Sequence, residues 1–140
     1  MAAEPKDLLD WASETVCDDG IGEVCLRACA SRAYYAAYHS VTWIGEQLPP
    51  AHDKRGGVHD QLCGQLQSPH RPDNWRSKDL TLRSLGYILQ QQRDVRVRAD
   101  YKLSEDFTSD DAEESIRRAG QILEMSAALS PPGAGEPESS

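Results

Sequence analysis

The stretch Ser31-Arg32-Ala33-Tyr34-Tyr35-Ala36-Ala37-Tyr38-His39-Ser40 decides how the chain reads. It lies inside the longest helical run, roughly Ile21 to Leu48, which no proline interrupts and which ends against Pro49-Pro50. Leu26, Ala30, Ala33, Ala37, Val41, Ile44 and Leu48 recur at three- and four-residue steps, the period of a helix with one buried face. The small alanines on that stripe let another helix approach closely. Beside it, Arg32, Tyr35 and His39 fall three and four residues apart and share a second face. An arginine and a histidine flanking a tyrosine, on the border of a core stripe, form the chemical feature that the rest of the chain has to explain.

Working outward, Pro5 occupies a first helical turn, and Leu8, Leu9, Ala12 and Val16 repeat helically, with residues 1–4 expected to fray. Asp18-Asp19-Gly20 is a turn. Beyond the long helix, Pro49 to Gly57 is a polar connection. A short helix follows from Val58 to Leu66, with Leu62 and Leu66 facing inward. The segment Ser68-Pro69-His70-Arg71-Pro72-Asp73-Asn74 is a loop of helix breakers. The next helix is predicted from Ser77, whose hydroxyl caps it, as far as Ala99, with Leu82, Leu85, Ile88 and Leu89 buried. Lys102 to Phe107 is a loop. Thr108, with Asp111 three residues on, is the N-cap of a last helix whose stripe is Ala112, Ile116, Ala119, Leu123 and Ala127. From Ser130 the chain is Ser, Pro, Gly, Ala and Glu, the composition of a disordered tail over 130–140. With no strand pattern and no internal repeat, the fold class is all-α: an antiparallel helical bundle of four main helices plus a short one, over residues 5–129.

Composition narrows the function. A chain of 140 residues that is 39% hydrophobic has enough apolar surface for one core. No apolar run approaches a membrane span, and no basic segment followed by an apolar one suggests a secretory signal. The expectation is a cytoplasmic protein whose Cys17, Cys25, Cys29 and Cys63 stay reduced. The formal charge of -8 excludes a generally basic nucleic-acid binder. From Arg71 to Lys102, however, eight lysines and arginines face four aspartates, a local balance of +4. That segment either faces a phosphate backbone or is a solvated helix face with neighbouring counter-charges.

One metal constellation has to be weighed. Cys25 and Cys29 are four apart on one helix, and His59 and Cys63 are four apart on another, so the two pairs would bind zinc if they faced each other. There is no close Cys-x-x-Cys, and small cysteines also suit tight helix packing. Phosphate-cradling glycine loops and nucleophile elbows are absent.

A second motif, Arg96-Val97-Arg98-Ala99-Asp100-Tyr101, completes a pattern. The Arg32-to-His39 stretch, then Arg96-x-x-Ala99-Asp100-Tyr101, then an acid-capped final helix resembles the HEPN superfamily, most closely its small stand-alone prokaryotic members. The resemblance covers about residues 5 to 129. It implies a helical bundle that forms a two-fold homodimer, and a metal-independent endoribonuclease that needs no cofactor. Such a protein acts as the toxin of a toxin–antitoxin or defence system, with a partner such as a minimal nucleotidyltransferase. Arg96 falls where the family's catalytic arginine is expected, Asp100 where its histidine is expected, and Tyr101 close to its tyrosine. Asp100 is a departure, since it removes the side chain that titrates near neutrality. Arg32 and His39 keep an Arg-x6-His spacing, but on an earlier helix.

Metal-free RNA cleavage needs a base for the 2′-hydroxyl, an acid for the leaving oxygen and a cation for the charge on phosphorus. The candidate catalytic residues are therefore Arg96, Asp100, Tyr101, Arg32 and His39, with His39 as the proton carrier. Tyr35, Arg93 and Arg98 are candidates for RNA binding. Against these stand structural roles: His39 as a bundle histidine, Arg32 paired with Asp100 between helices, and Asp100-Tyr101 as a helix end. The rival class is a non-catalytic helical module that binds a nucleotide, an RNA or a nucleotidyltransferase.

Overall fold

The computed structural model describes residues 3–18, 20–51 and 55–129; the tail expected over 130–140 lies outside them. Five α-helices form a helical bundle: α1 (Pro5–Val16), α2 (Glu23–Gln47), α3 (Val58–Leu66), α4 (Asp79–Tyr101) and α5 (Ser109–Ala128). A 3-10 helix, Asp73–Lys78, leads into α4. No strand occurs among the described residues.

The central helix is α2, which packs against α1, α3, α4 and α5. Its expected stripe is buried throughout, from Leu26 to Leu48. Tyr34 joins that stripe and is fully buried, although its hydroxyl then requires a partner inside the protein. Around it gather Val41, Ile44, Leu62, Leu66, Leu82, Leu85, Leu89 and Ile122, the larger of two apolar clusters. The smaller one joins Ala12, Leu26, Cys29, Ala30, Ala99, Phe107 and Ala112 at the other end of α2.

Four local expectations need correction. Glu4 is ordered by helix capping, its N–H donating to the Asp7 carboxylate at 2.8 Å. Ser77 lies inside the 3-10 helix and does not cap α4, whose preceding residue is Lys78. Helix α4 continues past Ala99, so Asp100 and Tyr101 are helical, the end being held by Arg27 as described below. The buried face of α5 is Ala112, Ser115, Ala119, Ile122 and Ser126, rotated from the apolar stripe. The rotation has a cause: Ser115 donates to Ala30 O at 3.3 Å and receives the buried Gln92 amide, which also donates to Ser115 O at 2.8 Å. Ser126 donates to Ser40 O and accepts from Trp43 Nε1 at 2.9 Å. Small hydroxyls thus let α5 lie close to α2 with their polar groups paired. Thr108 does cap α5, its hydroxyl accepting from Asp111 N at 3.2 Å while Thr108 N donates to the Asp111 carboxylate at 2.9 Å.

Two buried arginines fasten helix ends. Arg27, on α2, donates to Arg98 O at 2.9 Å, Ala99 O at 3.0 Å and Lys102 O at 3.3 Å, and also to Glu105 O. These contacts satisfy carbonyls at and beyond the C-terminus of α4, where helical partners run out. Arg71 does the same for α3 through Gln65 O and Leu66 O, and pairs with Asp79 at 2.7 Å.

Candidate functional site

The α2–α4 contact places the two sequence motifs side by side. Arg96 donates from Nη2 to the Tyr35 hydroxyl at 2.7 Å, and its Nε lies 2.9 Å from Oδ2 of Asp100. That Nε–H is nevertheless buried without a hydrogen bond. The guanidinium carbon sits 5.2 Å from the Tyr35 ring centroid and 5.3 Å from that of Tyr101, distances at which a cation is drawn to a ring face. Burial works against the Arg96 charge, but Tyr35, Asp100 and Tyr101 outweigh it, so the group is held more firmly protonated than an ordinary arginine. The same Oδ2 of Asp100 also accepts from the Ser31 hydroxyl of α2 at 3.2 Å.

His39 joins this cluster through aromatic contacts. Its ring lies 6.2 Å from that of Tyr35 and 5.2 Å from that of Tyr38, and it is exposed. Tyr35 therefore links Arg96 on α4 to His39 on α2. Arg32, expected in the same group, is exposed, and no hydrogen bond, ion pair or ring contact ties it to the others. The ion-pair partner of Asp100 is Arg96, one turn earlier on its own helix, and its interhelical partner is Ser31 on α2. Arg32 does not pair with it.

His59, one member of the candidate zinc set, has partners that its spacing to Cys63 does not suggest. Helix α3 brings its imidazole among the tyrosines of α2. Its Nδ1 is 2.6 Å from the Tyr34 hydroxyl, and its ring is 4.4 Å from that of Tyr38 and 6.2 Å from that of Tyr35. Burial lowers its pKa below the usual imidazole value, and the Arg96 and Arg93 charges lower it further. The Tyr34 phenol is pushed well above its ordinary pKa, chiefly by burial, and stays protonated. The zinc set itself does not converge. Cys29 belongs to one apolar cluster and Cys63 to the other, Cys25 is exposed, and the described residues contain no group of three or more potential ligands. Burial raises the Cys29 pKa, and raises that of Cys63 to about 11, as for thiols that pack and do not react.

The other arginines of the basic segment stand in ion pairs. Arg93 pairs with Asp60 at 2.6 Å, although its Nε–H has no hydrogen-bond acceptor among the described residues. Arg98 turns away from the cluster, towards Glu105 and Asp111, both at 3.4 Å, with its guanidinium 5.5 Å from the Phe107 ring. It fastens the loop between α4 and α5. Arg71, Arg76 and Arg83 also have carboxylate partners. Every arginine from 71 to 98 thus stands beside an aspartate or glutamate, and the positive balance of that segment is spread over ion pairs.

Chemically the site joins a fixed, permanently charged guanidinium, an exposed imidazole, a second, shielded imidazole and four tyrosines, of which Tyr101 presents most of its ring to solvent. Such a surface can hold an anion and stack a planar group. Tyr34 was the available signal for His59: a tyrosine on a core stripe needs an acceptor for its hydroxyl, and imidazole is one of few that fit. No protein family, curated protein or solved structure with which the chain was compared matches it.

Proposed function

We propose that the chain is a HEPN-type endoribonuclease, built as an antiparallel bundle of four main helices plus a short one, that cleaves single-stranded RNA without a metal and acts as the toxin of a toxin–antitoxin or defence system. The observation that carries this reading is Arg96, kept charged and fixed between Tyr35, Asp100 and Tyr101 beside the exposed His39. Arg96 neutralises the phosphoryl oxygens as charge builds on phosphorus. His39 takes the 2′-hydroxyl proton as the 2′-oxygen bonds to phosphorus and the bond to the 5′-oxygen breaks, and the leaving oxygen takes its proton from the His39 imidazolium or from water. Asp100, occupied by Arg96 and Ser31, orients the guanidinium in place of carrying a proton. Tyr101 offers its exposed ring to a base, as unpaired RNA is commonly gripped. A homodimer would bring two such sites together, and a small nucleotidyltransferase is the antitoxin that this reading implies.

A second reading is favoured by one observation: every arginine from 71 to 98 already has a carboxylate beside it, which weakens the pull on a polyanion. On that reading the chain is a non-catalytic module that binds a nucleotide, an RNA or a protein partner. Incubating the purified protein with single-stranded RNA in excess chelator separates the two. The ribonuclease reading expects cleavage that falls by about two orders of magnitude or more in Arg96→Ala and His39→Ala, each shown to be folded by circular dichroism, a loss in the range of a removed oxyanion donor or acid–base group. An inactive wild type gives the case to the binding module.

A further inference from the structure

His59 has no role in the reaction as assigned to Arg96 and His39, yet among the described residues it is the imidazole held by the most contacts. Its ring is set by Tyr34, Tyr35 and Tyr38 of α2 and borders the same Tyr34–Tyr35 pair as the Arg96 guanidinium, which lies 6.0 Å from the Tyr34 centroid. The tautomer follows from the hydrogen bond. The Tyr34 hydroxyl is buried, and Nδ1 of His59 is the one acceptor it reaches among the described residues. A hydroxyl that accepted from an Nδ1–H would leave its own proton unpaired in the core, so Tyr34 donates and Nδ1 accepts. A neutral ring with Nδ1 as acceptor carries its proton on Nε2. Nε2 makes no hydrogen bond among the described residues and is not sealed from solvent, since it is absent from the buried unpaired atoms. Nearby, the Nε–H groups of Arg93 and Arg96 are buried and make no hydrogen bond among the described residues, although Asp100 Oδ2 lies 2.9 Å from that of Arg96.

We infer that His59 presents its Nε2–H, beside Arg96, to a non-bridging oxygen of an RNA phosphodiester. The ring gives up no proton: it donates a hydrogen bond that tightens as charge accumulates on that oxygen, while the proton traffic stays with His39. A neutral donor suits this position, because a protonated imidazole there would stand against two arginines. The chemistry selects a phosphodiester anion with no metal bridge. This inference rests on the ribonuclease reading for its substrate, and binding can be measured apart from cleavage.

The test uses the full chain and a short single-stranded oligonucleotide with 2′-deoxyribose throughout, which lacks the attacking hydroxyl. Imidazole nitrogen NMR on the wild type near pH 7.5 reads the tautomer directly; a proton on Nε2 of His59 is expected, and a proton on Nδ1 overturns the inference. Fluorescence anisotropy then compares His59→Gln, whose amide nitrogen reaches the Nε2 position, with His59→Asn, whose shorter side chain reaches only Nδ1. The Gln variant is expected within about threefold of wild type and the Asn variant weaker by about tenfold or more, the factor for one hydrogen bond to a charged group. Equal losses in both variants, wild-type binding by the Asn variant, or no binding by the wild type would each overturn it. Because Gln and Asn differ by one methylene, a folding defect common to both shows in circular dichroism and leaves the tautomer measurement to decide. A wild type that binds the deoxyoligonucleotide with this pattern but never cleaves RNA would remove the ribonuclease reading and leave His59 as an anion donor.

Discussion

Replacing Arg27 with methionine keeps an apolar stem of similar length and removes the guanidinium. In the folded protein that residue is 6% exposed, so its stem already packs like a core side chain, and the loss falls on hydrogen bonds. Of the four carbonyls it serves, Arg98 O also receives Lys102 N at 3.2 Å, and Lys102 O also receives Glu105 N at 3.1 Å. Ala99 O and Glu105 O have no other donor among the described residues. Glu105 is exposed and its carbonyl can turn to water, whereas Ala99 is 2% exposed and its carbonyl cannot. An orphaned buried acceptor costs about 1–3 kcal/mol, and the weakened bonds to a charged donor add to it. The ion pair to Glu23 adds little, since the Glu23 side chain is 46% exposed. The expected loss is about 2–4 kcal/mol, seen in urea denaturation as a lower midpoint with an unchanged slope, and as roughly 8–15 °C in Tm. Hydrogen exchange should quicken first at the amides of residues 102–107, the loop that Arg27 holds. A loss below about 1 kcal/mol, or exchange that quickens elsewhere first, would refute the idea that one arginine fastens the end of α4.

Two further outcomes follow from the same structure. The pKa of His59 is lowered by burial, then by Arg96 and Arg93, with His39 acting in the same direction, Asp60 against it, and Tyr34 and Tyr38 packed on the ring. Below the unfolded value of 6.5 the unfolded chain binds a proton that the folded chain refuses. The His59 contribution is therefore complete above that pH and is lost as pH falls towards the folded pKa, with a slope of at most about 1.4 kcal/mol per pH unit. Urea titrations from pH 7.5 downward should show that slope in the wild type and a flatter one in His59→Gln; parallel curves would contradict it. Thr108→Ala removes the hydroxyl that accepts from Asp111 N and should cost about 1 kcal/mol by denaturation, while Thr108→Ser should cost much less.

The sequence carried the fold further than the site, and particular residues show why. The α2 stripe is read from period alone because alanines, valine and isoleucine at those positions serve nothing but burial. Thr108 is legible because a capping box is local, closed within four residues. The α5 face is read in part: Ala112 and Ala119 are buried and Ile116 packs against both clusters, but Ala127 is exposed, and Ser115 and Ser126 become core residues only when α2 supplies the carbonyls of Ala30 and Ser40. Arg27 looks like a solvated partner of Glu23 one turn away; its burial depends on carbonyls more than seventy residues later. His59 suffers in the same way. Its spacing to Cys63 suggests a ligand pair, and the side chain that actually fixes it, Tyr34, stands 25 residues earlier on another helix. Short-range chemistry is written in spacing, and chemistry that crosses helices is written only in the unmet needs of buried polar groups.

On the proposed reading, Asp100 stands where the resemblance leads one to expect a histidine. A histidine at that position would have to be oriented by its surroundings before it could serve. Oδ2 of Asp100 already accepts from Ser31 and stands in an ion pair with Arg96, and on the proposed reading the carboxylate orients the guanidinium. The imidazoles then come from elsewhere: His39 reaches the cluster along α2 through Tyr35, and His59 enters from α3 through Tyr34. Adjacent tyrosines on one helix thus hold the two rings in different states, one exposed and one shielded beside the arginines. A paired acid–base role would need two rings that exchange protons, whereas on the inference drawn above the shielded ring acts through its Nε2–H, with burial and the nearby arginines disfavouring its protonated form. Arg27, by ending α4 where Tyr101 projects, fixes the third side of the same cluster. Loss of the Arg27 contacts should for that reason weaken oligonucleotide binding before the bundle unfolds, since Asp100 and Tyr101 lie in the helical turn immediately before the loop that loosens first.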